Sequence, residues 1–529
     1  MQAKHRSGFW GRRRSHLIGC AIGLVAIFAL AVPSLASAAT TETYAALGDS
    51  VAFGYSSQLY HEGEAAGYVD PENFENGYAD NYVKSLNAKN KKAKTGKSFR
   101  LVNDGCPGET TETLIGENPV IIGTLNAALK KTQEEHGLPP VKGSNKENPE
   151  GQDKFPCEYQ AAWTAKKEVG KGGPLHHPYP TTSQLENAIK VIKDSASEKK
   201  PVTSVTLNIG ANDELHALGK IEAETKAIFV PKYISEHEPT LKEEAAAEAF
   251  THCVKKAEKE TGESSGPAFE AAREACLAGE GEAYGKRAYE FKVGAAAEQH
   301  ASEEISAAVP GLFAQISSNL LGIEVAIRKA GSLGFGGIDY GGKIMFQGGY
   351  NPFGKQFTLA FEGVGFVASL GAATTAREKA EKAGYAVDSG RCGEHAEKLE
   401  LEEEAIAGGC TAAALHPGFN ALVGVLSGAE EGISNGAGVC MTAPHIRFNP
   451  QNTKKPSLEP ERLKNWTGMT NSTRTKVGSE ERFNGPDIHP TPAGYKELAK
   501  EILKEEANRC HTANVKAEEK SEPIPYPGF

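Results

Sequence analysis

A serine hydroxyl can attack a carbonyl carbon when a neutral histidine takes its proton and fixed N–H groups receive the charge that develops on oxygen. Residues of these types occur at four separate turns of this sequence. Ser50 follows Gly48-Asp49, where the β-prone run Thr43 to Leu47 ends. Glycine permits a tight backbone there, and a helix starting beyond it presents unpaired N–H groups. Gly108 lies in Cys106-Pro107-Gly108-Glu109-Thr110, and Asn212 in Gly210-Ala211-Asn212-Asp213. The first offers a backbone N–H to an oxyanion, the second a side-chain amide. Among fifteen histidines, His489 in Asp487-Ile488-His489-Pro490 is the best placed to act as base, because Asp487 supplies a local carboxylate to orient the ring.

Each feature also has a plainer reading. Gly-Asp-Ser is a common turn and helix cap. Gly108 is equally a turn glycine, Asn212 an end-of-strand turn former and His489 a loop histidine. What favours chemistry is their shared position, since most of these turns close predicted strands.

The elements that must position them alternate along the chain. Strands are expected at Thr43 to Leu47, Phe99 to Val102, Val202 to Ile209, Lys343 to Gln347 and Gly438 to Ala443. Helical spacing covers 77–88, then Leu114 to Leu129 with an interruption at Pro119, a stretch starting at Ser183 with Glu186 three residues on, Leu312 to Ala330, and Ala493 to Ala507. Residues 132–182 read as irregular. This strand-helix alternation predicts an α/β fold, three layers with a mainly parallel sheet, in which ligands sit beyond the carboxyl ends of the strands. Residues 216 to about 305 differ in character: Ala, Glu and Lys dominate and β-branched residues are few, which predicts a charged helical insertion, a lid or partner-binding arm.

Taken together and in order, Leu47-Gly48-Asp49-Ser50-Val51-Ala52-Phe53-Gly54, Asn103-Asp104-Gly105-Cys106-Pro107-Gly108-Glu109-Thr110, Gly210-Ala211-Asn212-Asp213 and Asp487-Ile488-His489-Pro490-Thr491 resemble the blocks of the SGNH/GDSL hydrolase family. The resemblance covers roughly residues 43–129, 183–215 and 438–507. It implies an α/β/α, flavodoxin-like parallel sheet and an esterase or lipase. Ser50 would be the nucleophile and His489 the base, with an oxyanion hole formed by the Ser50 N–H, the Gly108 N–H and the Asn212 amide. One departure matters: the family places its acid three residues before the histidine, and here that residue is Pro486. Either Asp487 reaches the ring through a shorter turn, or a backbone carbonyl orients His489 and leaves a Ser-His dyad. No cofactor or metal is implied, and short esters, lipids and acylated glycans all remain open as substrates.

The chain has 529 residues, 39% of them apolar, enough for a sizeable core and more than one domain. Its start reads as an export signal spanning residues 1–38: basic residues from Lys4 to Arg14, an apolar stretch from Leu17 to Val32, and Ala36-Ser37-Ala38 as a cleavage site. Secretion to the extracellular space, without a membrane span after cleavage, is the expectation. The hydrolase domain would then comprise 39–215 and 306–512, the insertion 216–305, and 513–529 a loose tail. Nine cysteines less Cys20 in the signal leave eight, an even number in an exported chain. Pairing neighbours gives Cys106-Cys157, Cys253-Cys276, Cys392-Cys410 and Cys440-Cys510 as the simplest guess. A net charge of −10 without a basic stripe argues against nucleic acid as a partner.

Three other readings compete. Gly262-Glu263-Ser264-Ser265-Gly266 fits the Gly-x-Ser-x-Gly elbow, but that motif needs a strand before it and Lys255 to Thr261 is charged and helical. The adjacent His176-His177 lack the spacing of a metal pair. From a different class, a secreted binding protein on the same scaffold would keep the fold without the chemistry.

Overall fold

The computed structural model describes residues 40–67, 69–144, 177, 179–347, 440–442, 467–468, 474–483 and 487–508. Within these, a parallel sheet is built from β1 (Thr40–Gly48), β2 (Lys97–Asn103), β3 (Val202–Asn208), β4 (Lys343–Gln347) and the short β5 (Cys440–Thr442). Their order across the sheet is β2-β1-β3-β4-β5, and every neighbouring pair is parallel. Strands expected at Phe99 to Val102 and Gly438 to Ala443 are thus present, the first longer than the residue pattern suggests and the second described at Cys440–Thr442.

Parallel strands require crossovers, and these bring helices to both faces. On one side lie α4 (Thr111–Ile115), α5 (Pro119–His136), α6 (Gln184–Ser197) and the second half of α10 (Glu282–Arg328). Their Leu114, Leu125, Ile189, Leu320 and Ile323 pack with Ala45, Leu47, Val205 and Leu207 of the sheet. On the other side, α3 (Tyr78–Ala93) and α11 (Pro492–Asn508) bring Tyr82, Leu86, Leu498 and Ile502 against Tyr44, Ala46 and Met345. Successive residues of β1 therefore serve opposite cores, as the two-residue period of a strand requires. Mixed α/β architecture with a parallel sheet is the result.

The order reverses direction between β1 and β3: the chain passes from β1 outward to β2, then returns to β3 on the other side of β1. Loops leaving adjacent strands on opposite sides of such a switch point separate and leave a crevice at the carboxyl edge. The segments that follow β1 and β3 are those carrying Ser50 and Asn212.

Local signals explain several boundaries. Ser183 caps α6 by accepting from the Glu186 N–H, as its spacing predicts. The helical stretch is interrupted just before Pro119, as expected, between α4 and α5, and Pro119 begins the second helix: Asn118 accepts from Val120 and Ile121, and proline takes a first-turn position where its missing N–H costs nothing. The irregular stretch expected from residue 132 starts later, because α5 continues to His136.

The region from 216 to 305 is helical, but neither bound is a helix boundary, since α7 (Ala211–Glu224) crosses the first and α10 the second. α7 passes through a π-helical turn at Thr225–Phe229 into α8 (Val230–Thr261), and α9 (Pro267–Cys276) passes through a second, Leu277–Gly281, into α10. The helix expected at Leu312 to Ala330 is the end of that 47-residue α10, which spans about 70 Å at 1.5 Å per residue. Pro310 sits inside it and forfeits one backbone hydrogen bond. In the arm, the small side chains Ala245, Ala249 and Ala257 of α8 and Ala297 and Ala301 of α10 are buried, so the two helices pack closely. A disulfide joins Cys253 of α8 to Cys276 of α9. Cys106 is also disulfide-bonded, and Cys157, Cys392, Cys410 and Cys510 lie outside the described residues.

Candidate active site

Ser50 is the first residue of the short helix α1 (Ser50–Phe53), immediately beyond β1. Its neighbour Asp49 caps that helix, the carboxylate accepting from the Val51 N–H at 2.9 Å. Gly48 makes the turn possible. Its φ is +133°, and a Cβ there would stand 1.8 Å from the Asn208 carbonyl oxygen, so no other residue fits. Ser50 is buried, 8% exposed.

His489 arrives from the far end of the chain. Residues Asp487–Pro490, expected as a turn, form a short strand β7 paired antiparallel with β6 (Thr467–Gly468). Backbone pairing holds this segment, and α11 follows directly. His489 Nε2 lies 2.7 Å from Ser50 Oγ, a hydrogen bond between residues 439 apart in sequence. The ring is half-buried and packs on Tyr55, with centroids 4.6 Å apart. Tyr495 of α11 donates its hydroxyl to the Tyr55 carbonyl at 2.8 Å, which ties the histidine-bearing segment to the loop after Ser50. The Asp487 side chain, the carboxylate expected to orient the ring, lies outside the described residues.

The other two turns meet beside this pair. Cys106-Pro107-Gly108-Glu109 closes with the Glu109 N–H donating to the Cys106 carbonyl at 3.2 Å, and Gly108 has φ +87°. Proline second and a left-handed glycine third is the pattern of a type II turn. The Cys106 N–H donates to the Gly48 carbonyl at 2.9 Å, joining this turn to the one that carries Ser50. Asn212, expected in a turn, lies in the first turn of α7. Its amide donates to the Glu109 carbonyl at 2.9 Å. An amide nitrogen carries two hydrogens, so one can hold the Gly108 loop while the second serves an oxyanion.

Behind these residues is a polar layer that the sequence did not single out. Asp213 accepts from the Thr111 N–H at 2.9 Å and from its hydroxyl at 2.6 Å. Asn319, on α10, donates to the same hydroxyl at 2.9 Å, so both helices that extend into the arm are anchored beside the Gly108 loop. Gln184, the first residue of α6, bridges Gly48 and Glu109. Asp104 accepts from the Asn187 amide at 2.8 Å. The signal available beforehand was Gln184 and Asn187 falling within the apolar stripe of α6 with Leu185, Ala188 and Ile192.

Asp49, Asp104 and Glu109 in this layer are buried, and Asp213 is half-buried. Burial pushes Asp49, Asp104 and Glu109 up to about 7 and Asp213 up to about 6. A group whose pKa is raised on folding stabilises the fold below its unfolded value and loses that contribution as pH rises through the folded value. For Asp104, whose main opposing influence is the Asn187 hydrogen bond, the loss between pH 5.5 and neutrality is about 2 kcal/mol. Melting temperature should therefore fall from pH 5.5 to pH 8.5, and Asp104→Asn should flatten the slope by several degrees. Parallel curves for the two proteins would show that Asp104 keeps its charge in the fold.

The remaining sequence candidates are placed apart from this chemistry. Ser264 lies in the short connection between α8 and α9, with a helix rather than a strand before it. His177 is half-buried, 3.6 Å from Glu72 and beside Phe53, while His176 is outside the described residues. Among the described residues, His252, Cys276 and Glu280 come within metal-ligating distance, but Cys276 is committed to its disulfide and has no thiolate to offer. No described helix is long and apolar enough to cross a membrane.

Comparison of the chain with family models, with curated proteins and with solved structures gave no match.

Proposed function

We propose that this protein is a secreted serine ester hydrolase of the SGNH/GDSL type, acting on carboxylic esters. The observation that carries this reading is the 2.7 Å hydrogen bond from Ser50 Oγ to His489 Nε2 at the carboxyl edge of a parallel sheet. A nucleophile and base within hydrogen-bond reach, drawn from opposite ends of the chain, is the arrangement acyl transfer needs. Support also comes from the strand order, which is that of the flavodoxin-like doubly wound sheets, with the site at the switch point.

In the proposed reaction Ser50 Oγ bonds to the acyl carbon as its proton passes to His489 Nε2. The carbonyl π electrons move onto oxygen, where the Gly108 N–H, the Ser50 N–H and the Asn212 amide stabilise the charge. Collapse of this intermediate breaks the bond to the alcohol oxygen, which takes the proton from His489 and leaves an acyl-serine. Water then repeats the sequence, returning the proton to Ser50 and releasing the acid. Asp49 serves as the cap that shapes the turn, with its carboxylate on the Val51 N–H.

Hydrolysis of p-nitrophenyl esters from acetyl to palmitoyl tests the reading, and the chain-length profile separates a carboxylesterase from a lipase. Turnover lost in Ser50→Ala and His489→Ala is expected. A folded wild type inactive toward the whole series, and unreactive with a phosphonate, would favour a binding protein built on the same scaffold.

A further inference from the structure

We propose that Gln184 is a positioning residue that locks the nucleophile turn and the Gly108 loop into one rigid unit, acting on turnover rather than on substrate affinity. The proposal rests on the serine hydrolase reading of the site. Gln184 is fully buried. Its Oε1 accepts from the Gly48 N–H at 2.9 Å, and its Nε2 donates to the Gly48 carbonyl at 2.8 Å and to Glu109 Oε2 at 2.7 Å. The amide can take only one orientation, because the Gly48 N–H requires an acceptor and an amide oxygen turned toward the Gly48 carbonyl would set two acceptors together. Both amide hydrogens and the oxygen are thereby engaged.

These partners are not arbitrary points of the backbone. Gly48 is two residues before Ser50 and holds a positive φ that leaves the turn dependent on its surroundings. Glu109 follows Gly108, and its own carbonyl is held by Asn212. Glu109 is thus fixed at the backbone by one proposed oxyanion residue and at the side chain by the glutamine that grips the nucleophile turn. An oxyanion hole works by being in place before charge develops, so looseness between these turns would raise the barrier of the chemical step while leaving the substrate pocket intact. An apolar side chain of similar shape would leave the Gly48 N–H and the Glu109 carboxyl buried without this partner.

Electrostatics gives the test a signature. Glu109 is held high by burial, its Thr113 and Gln184 hydrogen bonds oppose that, and Asp49 and Asp213 face it with like charge. His489 acts on the same cluster through Asp49. In Gln184→Glu, the new carboxyl must carry a proton to donate to Glu109 or to the Gly48 carbonyl. It does so at low pH and loses the proton as pH rises, setting two carboxylates against each other.

The experiment measures kcat and KM on p-nitrophenyl acetate from pH 5.5 to 8.5 for wild type, Gln184→Leu and Gln184→Glu. Rates are taken per folded molecule counted by near-ultraviolet circular dichroism, and a fluorophosphonate reports on Ser50. Gln184→Leu is expected to lower kcat about 100-fold with little change in KM. The kcat of Gln184→Glu relative to wild type is expected to fall about tenfold or more from pH 5.5 to 8.5. Should Gln184→Leu fail to fold, the pH profile of Gln184→Glu decides alone. A purely structural glutamine would lower the melting temperature and leave a kcat ratio that does not vary with pH, which would overturn the proposal. If wild type is labelled at Ser50 and the variants match its kcat, the positioning role fails and the hydrolase reading stands. If wild type is neither labelled nor active, both fall.

Discussion

Alanine at Ser50 or at His489 is expected to lower kcat on a p-nitrophenyl ester by about 10⁵-fold, and alanine at both is expected to lower it no further. The reason is the 2.7 Å contact between them. Serine without its base is a weak nucleophile at neutral pH, and the base without serine has nothing to deprotonate except water. Each residue therefore loses its effect when the other is removed, so the two losses do not multiply. The residual rate should come from the oxyanion donors, which remain in place. KM should change little, because neither side chain is needed to hold the ester in its ground state. Steady-state rates on the acetyl ester for the two single variants and the double variant check this. A double variant much slower than both singles, or singles within about tenfold of wild type, would mean that Ser50 and His489 do not act as a pair.

Removal of the Asn212 amide is the next largest effect. Asn212→Ala should lower kcat about 10²- to 10³-fold, the range for loss of one oxyanion donor. Asn212→Asp should be worse than alanine. The carboxylate has no hydrogen to donate to the Glu109 carbonyl, which Asn212 now holds at 2.9 Å, and it adds negative charge where negative charge must develop. Its neighbours Asp49, Glu109 and Asp213 would oppose it further. The measurement is kcat and KM for the three proteins at one pH. Asn212→Asp matching Asn212→Ala, or both within about tenfold of wild type, would remove Asn212 from the oxyanion site.

Much of the candidate site's geometry was legible because each turn carries its own local chemistry. Gly48 stands where only glycine fits, Pro107-Gly108 spells out a type II turn, and Ser183 caps α6 as its spacing says. These are contacts among residues a few positions apart, which sequence spacing reports directly. The α/β character was legible for the same reason, since strand and helix periods alternate along the chain.

What was not legible depends on distant partners. Gln184 stands out in the sequence only as a polar residue in the apolar stripe of α6, and its partners Gly48 and Glu109 emerge with the fold. Asn319 gains its meaning only because Thr111, 208 residues earlier, comes within 2.9 Å. The segment around His489 read as a turn because its strand partner, Thr467–Gly468, is only two residues long and has no β-prone run to announce it. The length of α10 was hidden for another reason. Its first half is charged and alanine-rich and its second half carries the core residues Ile316, Leu320, Ile323 and Ile327, so a change of surroundings resembles a change of element.

The most direct measurement treats the folded protein with a fluorophosphonate and locates the adduct by peptide mass spectrometry, in wild type and in His489→Ala. The expected result is a single adduct on Ser50 that forms rapidly in wild type and at least about 10³-fold more slowly without His489. An adduct on another residue, or labelling of Ser50 at the same rate in both proteins, would contradict the assignment of Ser50 and His489 as nucleophile and base.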